Sequence, residues 1–156
     1  MKALSNWNLE SPADKELHNR AVNAVRTYKK SEVQLMEVLQ KIDQAKLFYK
    51  MGFSSLFAYT TEGLGLSEEV AYIYIRVARK AVEVPALTEG IREGSISISK
   101  AKRISSVINK ENQGKWLNLA KTETSRKIER EVAMESPKSA IKDQMNFINP
   151  TSEIKE

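Results

Sequence analysis

This sequence predicts an all-α, multi-helix domain with a long N-terminal helix, on three observations. Apolar residues recur at spacings of three and four along most of the chain, serine and proline stand where those runs begin, and no stretch alternates apolar and polar residues as a half-buried strand would. The chain has 156 residues, 41% of them hydrophobic, which suits one domain with a single core.

Residues 1–12 read as an N-terminal arm. From Ala13 to about Asp43, Leu17, Ala21, Ala24, Val25, Tyr28, Leu35, Leu39 and Ile42 form the apolar side of a long helix, with Ser11-Pro12 as N-cap and first-turn proline. A helix of that length needs a partner along it, either the rest of the domain or a second copy of the chain, so a homodimer through this helix stays open. Lys46 to Gly52 ends the unit, with Gly52 as the turn residue. Ser54-Ser55 cap a short helix from Leu56 to about Glu62, and Gly63-Leu64-Gly65-Leu66 makes a tight turn in which glycine supplies positive φ. Ser67 is the next N-cap. Glu68 and Glu69 suit the first turn of the helix that follows, which runs to about Val84 and stops at Pro85. Pro85 opens a short helix to Arg92, ended by Gly94. Ser97 or Ser99 starts another helix, with Ala101, Ile104, Val107 and Ile108 on one side and a break from Asn109 to Gly114. Lys115–Lys121 and Ser125–Glu135 complete the helical domain, residues 13–136, using Trp116, Leu119 and Ala120, then Ile128, Val132 and Ala133, as contacts. Pro137 closes it, and residues 137–156 read as a flexible tail or linker.

Composition narrows the function classes. With no cysteine, disulfides and thiolate metal sites are excluded, and a reducing, cytoplasmic setting is expected. No signal-like h-region and no run of about 18 apolar residues is present, so no membrane partner is expected. Catalytic residues, metal ligands and cofactors are not expected either. His18 is the only histidine and reads as a surface or satisfied helical residue, Trp7 and Trp116 read as packing residues, and the glycines at 63, 65, 90 and 94 match no phosphate-cradling loop.

The net charge of +5 and pI near 9.3 point toward a polyanion. The excess is not carried by an end of the chain: residues 1–66 hold nine basic and seven acidic residues, 67–109 seven and five, 110–156 nine and eight. It concentrates locally. Arg76, Arg79 and Lys80 form one patch, and Lys100, Lys102 and Arg103 a second in the acid-free stretch Ser95–Lys110.

Residues 54–84 have the order of a helix-turn-helix. On the second helix Val70, Ala71, Tyr74, Val77, Ala78 and Ala81 share one side, and Glu69, Tyr72, Arg76, Arg79, Lys80 and Glu83 share the other. Two guanidiniums with Tyr72 beside them could meet phosphates or a guanine edge, and lysines of the second patch would add affinity without sequence choice. Glu68 and Glu69 oppose this, since a recognition helix inserts its N-terminus most deeply. The expected sites are therefore Tyr72, Arg76, Arg79, Lys80, Lys100, Lys102 and Arg103, with double-stranded DNA as partner. The alternative is a protein-interaction or oligomerisation module with no direct DNA contact.

The segments Gly52–Tyr59, Leu64–Ser67, Tyr72–Arg79, Val84–Leu87 and Gly94–Ser99 carry, in order, Gly-Phe-x-Ser-Leu-Phe-x-Tyr, Leu-Gly-x-Ser, an arginine-bearing helix, Val-Pro-x-Leu and Gly-x-Ile-Ser-x-Ser. Over residues 15–110 this resembles the helical N-terminal region of bacterial HNH-endonuclease proteins. Ile91–Ile104 is also similar to the segment that follows the helix-turn-helix of ParB-type DNA-binding proteins. Both resemblances imply DNA. The HNH catalytic motif is absent, because its chemistry needs several histidines in a ββα unit and this chain has one. The resemblance thus implies a DNA-engaging module that is non-catalytic by itself.

Overall fold

The structure, a computed structural model, describes residues 11–136. The expectations for the N-terminal arm through residue 10, for Trp7 and for the tail 137–156 lie outside the described residues. The protein is all-α, and no strand occurs among the described residues.

Helix α1 spans Pro12–Gln44, with the Ser11 hydroxyl accepting from the Ala13 N–H at 3.2 Å. It ends where Lys46 takes a left-handed φ of 50°. A single turn, α2 (Leu47–Lys50), follows, which the sequence did not announce: four residues are too few for periodicity to register. Gly52 then turns the chain at φ 87°. The short helix begins at α3 (Leu56–Ala58), capped by Ser55, but continues as a π-helix over Tyr59–Gly63. The Thr60 and Thr61 hydroxyls donate one turn back, to the carbonyls of Leu56 (2.6 Å) and Phe57 (3.0 Å). Such back-bonding bends a helix, and the next turn widens until the Leu64 N–H reaches the Tyr59 carbonyl.

Helix α4 (Glu68–Glu83) starts at Ser67, whose hydroxyl accepts from the Val70 N–H, and α5 (Pro85–Arg92) begins at the expected proline. Helix α6 (Ile98–Ile104) has Ser97 as its N-cap. It ends earlier than its apolar pattern suggests. Asn109 and Asn112 each accept from the other's backbone N–H, and the Asn112 amide donates to the Val107 carbonyl, so Val107 and Ile108 lie in a stapled turn. Helices α7 (Gln113–Thr122) and α8 (Ser125–Glu135) follow, and Gly114 belongs to α7 instead of the break.

One apolar core runs from Met36 to Ile128 and draws on most of the helices. Helix α4 lies in its middle, packed by α1, α3, α5 and α6. Its buried side chains are Ala71, Tyr74, Ile75, Val77, Ala78 and Ala81, with Val70 half-buried. Ile75 joins the expected set because a helix enclosed by several neighbours buries a wider arc than one lying on a surface, here about 160° at 100° per residue. The rest of the helix circumference faces solvent or is half-buried.

Helix α1 is covered only near its end, where Met36, Leu39 and Ile42 are buried. Leu17, Val25 and Tyr28 on the expected apolar side are exposed. No helix among the described residues is long and apolar enough to cross a membrane.

Candidate nucleic-acid interface

The solvent side of α4 carries Tyr72, Arg76, Arg79 and Glu83 at successive steps of four, three and four, with Arg76 half-buried and the other three exposed. It borders an open cleft of about 460 Å³, which Lys80 also lines. Ser55 and Phe57 at the start of α3 form the opposite wall, and Ser105 just after α6 lies at its edge. The cleft therefore exists because the residues around the turn hold α3 against α4. At Gly63 a Cβ would come within 2.8 Å of the Phe53 ring, so this glycine serves close packing, and Gly65 supplies the positive φ.

The cations of the first patch differ in what they hold. Arg76 donates from Nη1 to the Tyr72 hydroxyl at 2.9 Å, and its guanidinium lies 5.8 Å from the centre of that ring. It forms no ion pair among the described residues. Arg79 grips Asp43 of α1, Nε to Oδ2 at 2.7 Å and Nη2 to Oδ1 at 3.5 Å, while its side chain remains 59% exposed. The hydrogen bond from Arg79 holds the Asp43 carboxyl below the usual range. Partial burial opposes that shift, and Lys46 at 2.9 Å reinforces it. Lys80 is mostly covered and pairs with Glu83.

The second patch does not form one surface. Lys100 donates to the Ala120 carbonyl at 2.9 Å, satisfying a carbonyl near the C-terminal end of α7. Arg103 pairs with Glu129 of α8 at 2.6 Å and also donates to the Ser99 carbonyl and hydroxyl. Both cations hold α7 and α8 onto α6. Lys102 is half-buried and makes no side-chain hydrogen bond or ion pair among the described residues. Of the seven residues singled out from the sequence, Tyr72, Arg76, Arg79 and Lys80 are brought to one cleft.

Sequence reasoning missed Asp43, Glu129, Ser55 and Phe57. The two carboxylates lie 36 and 26 positions from their arginines, and nothing local marks such pairs. Phe57 had a signal, since it follows the buried Leu56 on a capped helix and must point elsewhere; it is 40% exposed. Among the described residues no three His, Cys, Asp or Glu side chains gather where they could hold a metal ion. No protein-family model, curated protein or solved structure matches this chain.

Proposed function

We propose that this chain is a DNA-binding helical module, non-catalytic by itself, in which α3 and α4 act as a helix-turn-helix and the stripe Tyr72–Arg76–Arg79 meets the duplex. The observation that carries this reading is Arg76: a guanidinium at the edge of an open cleft, oriented by Tyr72 and paired with no carboxylate among the described residues. Arg79 contributes because its own side of the pair with Asp43 is largely exposed, and Lys46 stays beside the Asp43 carboxylate, so a phosphate can compete for the guanidinium. Lys102 on α6, half-buried and outside the cleft, supplies a third cation. Lys100 and Arg103 serve mainly to hold the fold, and Lys80 is mostly covered and paired with Glu83 of its own helix.

A titration with duplex DNA at two salt concentrations tests it. Three phosphate contacts correspond to a slope of about −2.7 in log affinity against log salt, roughly a 40-fold loss between 50 and 200 mM. Arg76→Ala should lower that slope by about 0.9. Absence of binding at low salt, or an unchanged slope in the Arg76→Ala/Arg79→Ala variant, overturns the proposal.

A second reading, a protein-interaction or oligomerisation module, is supported by the exposed apolar side of α1.

A further inference from the structure

Helix α1 extends well beyond the domain it packs on. From Pro12 to Ser31 every side chain is exposed except the half-buried His18 and Val22, over about 30 Å of helix. An isolated helix of this length is marginal in water, and here it presents Leu17 at 65% and Tyr28 at 63% exposure. That apolar side is left uncovered among the described residues.

The stripe itself indicates what would cover it. Leu17, Ala21, Ala24, Tyr28, Ser31 and Leu35 follow one another at steps of 4, 3, 4, 3 and 4, the 3.5-residue repeat of a two-helix seam. The run Leu17–Ala21–Ala24–Tyr28 is symmetric in spacing and in bulk, large residues at the ends and alanines in the middle. Reversed, it superposes on itself, which is the condition for an isologous contact about a two-fold axis. The lower end of the stripe, Tyr28, Ser31 and Leu35, forms one wall of an open cleft of about 390 Å³ faced by Leu66, Val70 and Ile73.

We propose that a second copy of this chain covers the stripe, the two α1 helices pairing antiparallel with Leu17 of each copy against Tyr28 of the other. Alanines at 21 and 24 then face one another and allow close approach of the backbones. With this register residue 13 of one helix lies opposite residue 32 of the other, which brings the start of each helix to the mouth of the other copy's cleft. Charge selects the direction. Pro12–Asn19 holds two acids and one base, whereas Arg26–Lys30 holds three bases and no acid. Antiparallel pairing brings the net-acidic start of each helix to the basic segment of the other, with Glu16 opposite Lys29 and one like-charge contact, Lys15 opposite Lys30, while parallel pairing stacks Arg26, Lys29 and Lys30 against themselves. The proposal deepens the second reading above and is independent of DNA binding.

The test is light scattering of the full chain as its concentration is raised, with cysteine variants beside it. The wild type should approach twice 17.7 kDa. Ala21→Glu/Ala24→Glu should remain a monomer while, in a Trp7→Phe background, the emission of buried Trp116 shows an intact core. The chain has no cysteine, so introduced ones report cleanly. Leu17→Cys/Tyr28→Cys should form a covalent dimer on oxidation. Leu17→Cys alone should not, because its two copies lie about 16 Å apart, beyond disulfide reach. A monomer at every concentration overturns the proposal, and so does a covalent dimer from Leu17→Cys alone. Because no DNA is present, either failure leaves the DNA reading to its own test.

Discussion

Arg79 and Asp43 connect α4 to α1, and the same pair withholds charge from the cleft. Replacing Asp43 by Asn should therefore act in two directions. Stability should fall by about 0.5–1 kcal/mol, a modest figure because the arginine is largely exposed. In the DNA reading, affinity at low salt should rise, since Arg79 no longer has a carboxylate to leave. The pH dependence follows from the direction of the Asp43 shift. Its folded-state pKa is depressed, so its contribution is complete above the ordinary carboxylate range and disappears as pH falls through the depressed value. Denaturant midpoints of wild type and Asp43→Asn should converge in acid.

Trp116 gives a second test at a single residue. It is fully buried, its indole N–H has no hydrogen-bond partner among the described residues, and Lys115 lies 4.9 Å from its ring centre. Trp116→Ala should cost about 3–5 kcal/mol through the cavity it leaves. Trp116→Phe should cost clearly less, because it also removes a buried donor that is already unpaired. Equal losses in urea unfolding would show that the indole N–H is satisfied in solution.

Among the elements, the π-helix after α3 depends on threonine. Thr60 is fully buried, and its hydroxyl bonds the Leu56 carbonyl at 2.6 Å. Thr60→Val keeps the shape and removes that bond, so stability should drop by about 1–1.5 kcal/mol. If the widened turn is what holds Ser55 and Phe57 against α4, the same variant should weaken DNA binding without touching a cation. Helix starts were the most legible part of the chain. The hydroxyls of Ser11, Ser55, Ser67 and Ser97 each accept the backbone N–H expected of an N-cap, because capping is decided within three residues. Helix ends were less legible. Apolar spacing carried α6 on to Ile108, but the reciprocal Asn109–Asn112 bonds stopped it at Ile104.

Across the whole molecule, stability is unevenly distributed along α1. Backbone amides near Met36–Ile42 share the core and should exchange hydrogen only on global unfolding. Those of residues 16–31 have no such cover, and their protection should increase with protein concentration as the arms pair. Exchange from residues 16–31 that is fast at every concentration would mean the arm stays unpaired in solution.

The division between what was readable and what was not follows the range of the forces involved. Helical periodicity, caps, the Pro85 stop and the left-handed Gly94 arise between residues a few positions apart, so the sequence alone determined an all-α chain and its helices other than the single turn α2. The tertiary structure decided which cations remain available. Arg79, Lys100 and Arg103 meet partners 36, 20 and 26 positions away, and such pairings exist only once the helices have packed. It also decided that the first two-thirds of α1 extends past the core, because amphipathic spacing shows that a helix has an apolar side but not whether the same chain covers it.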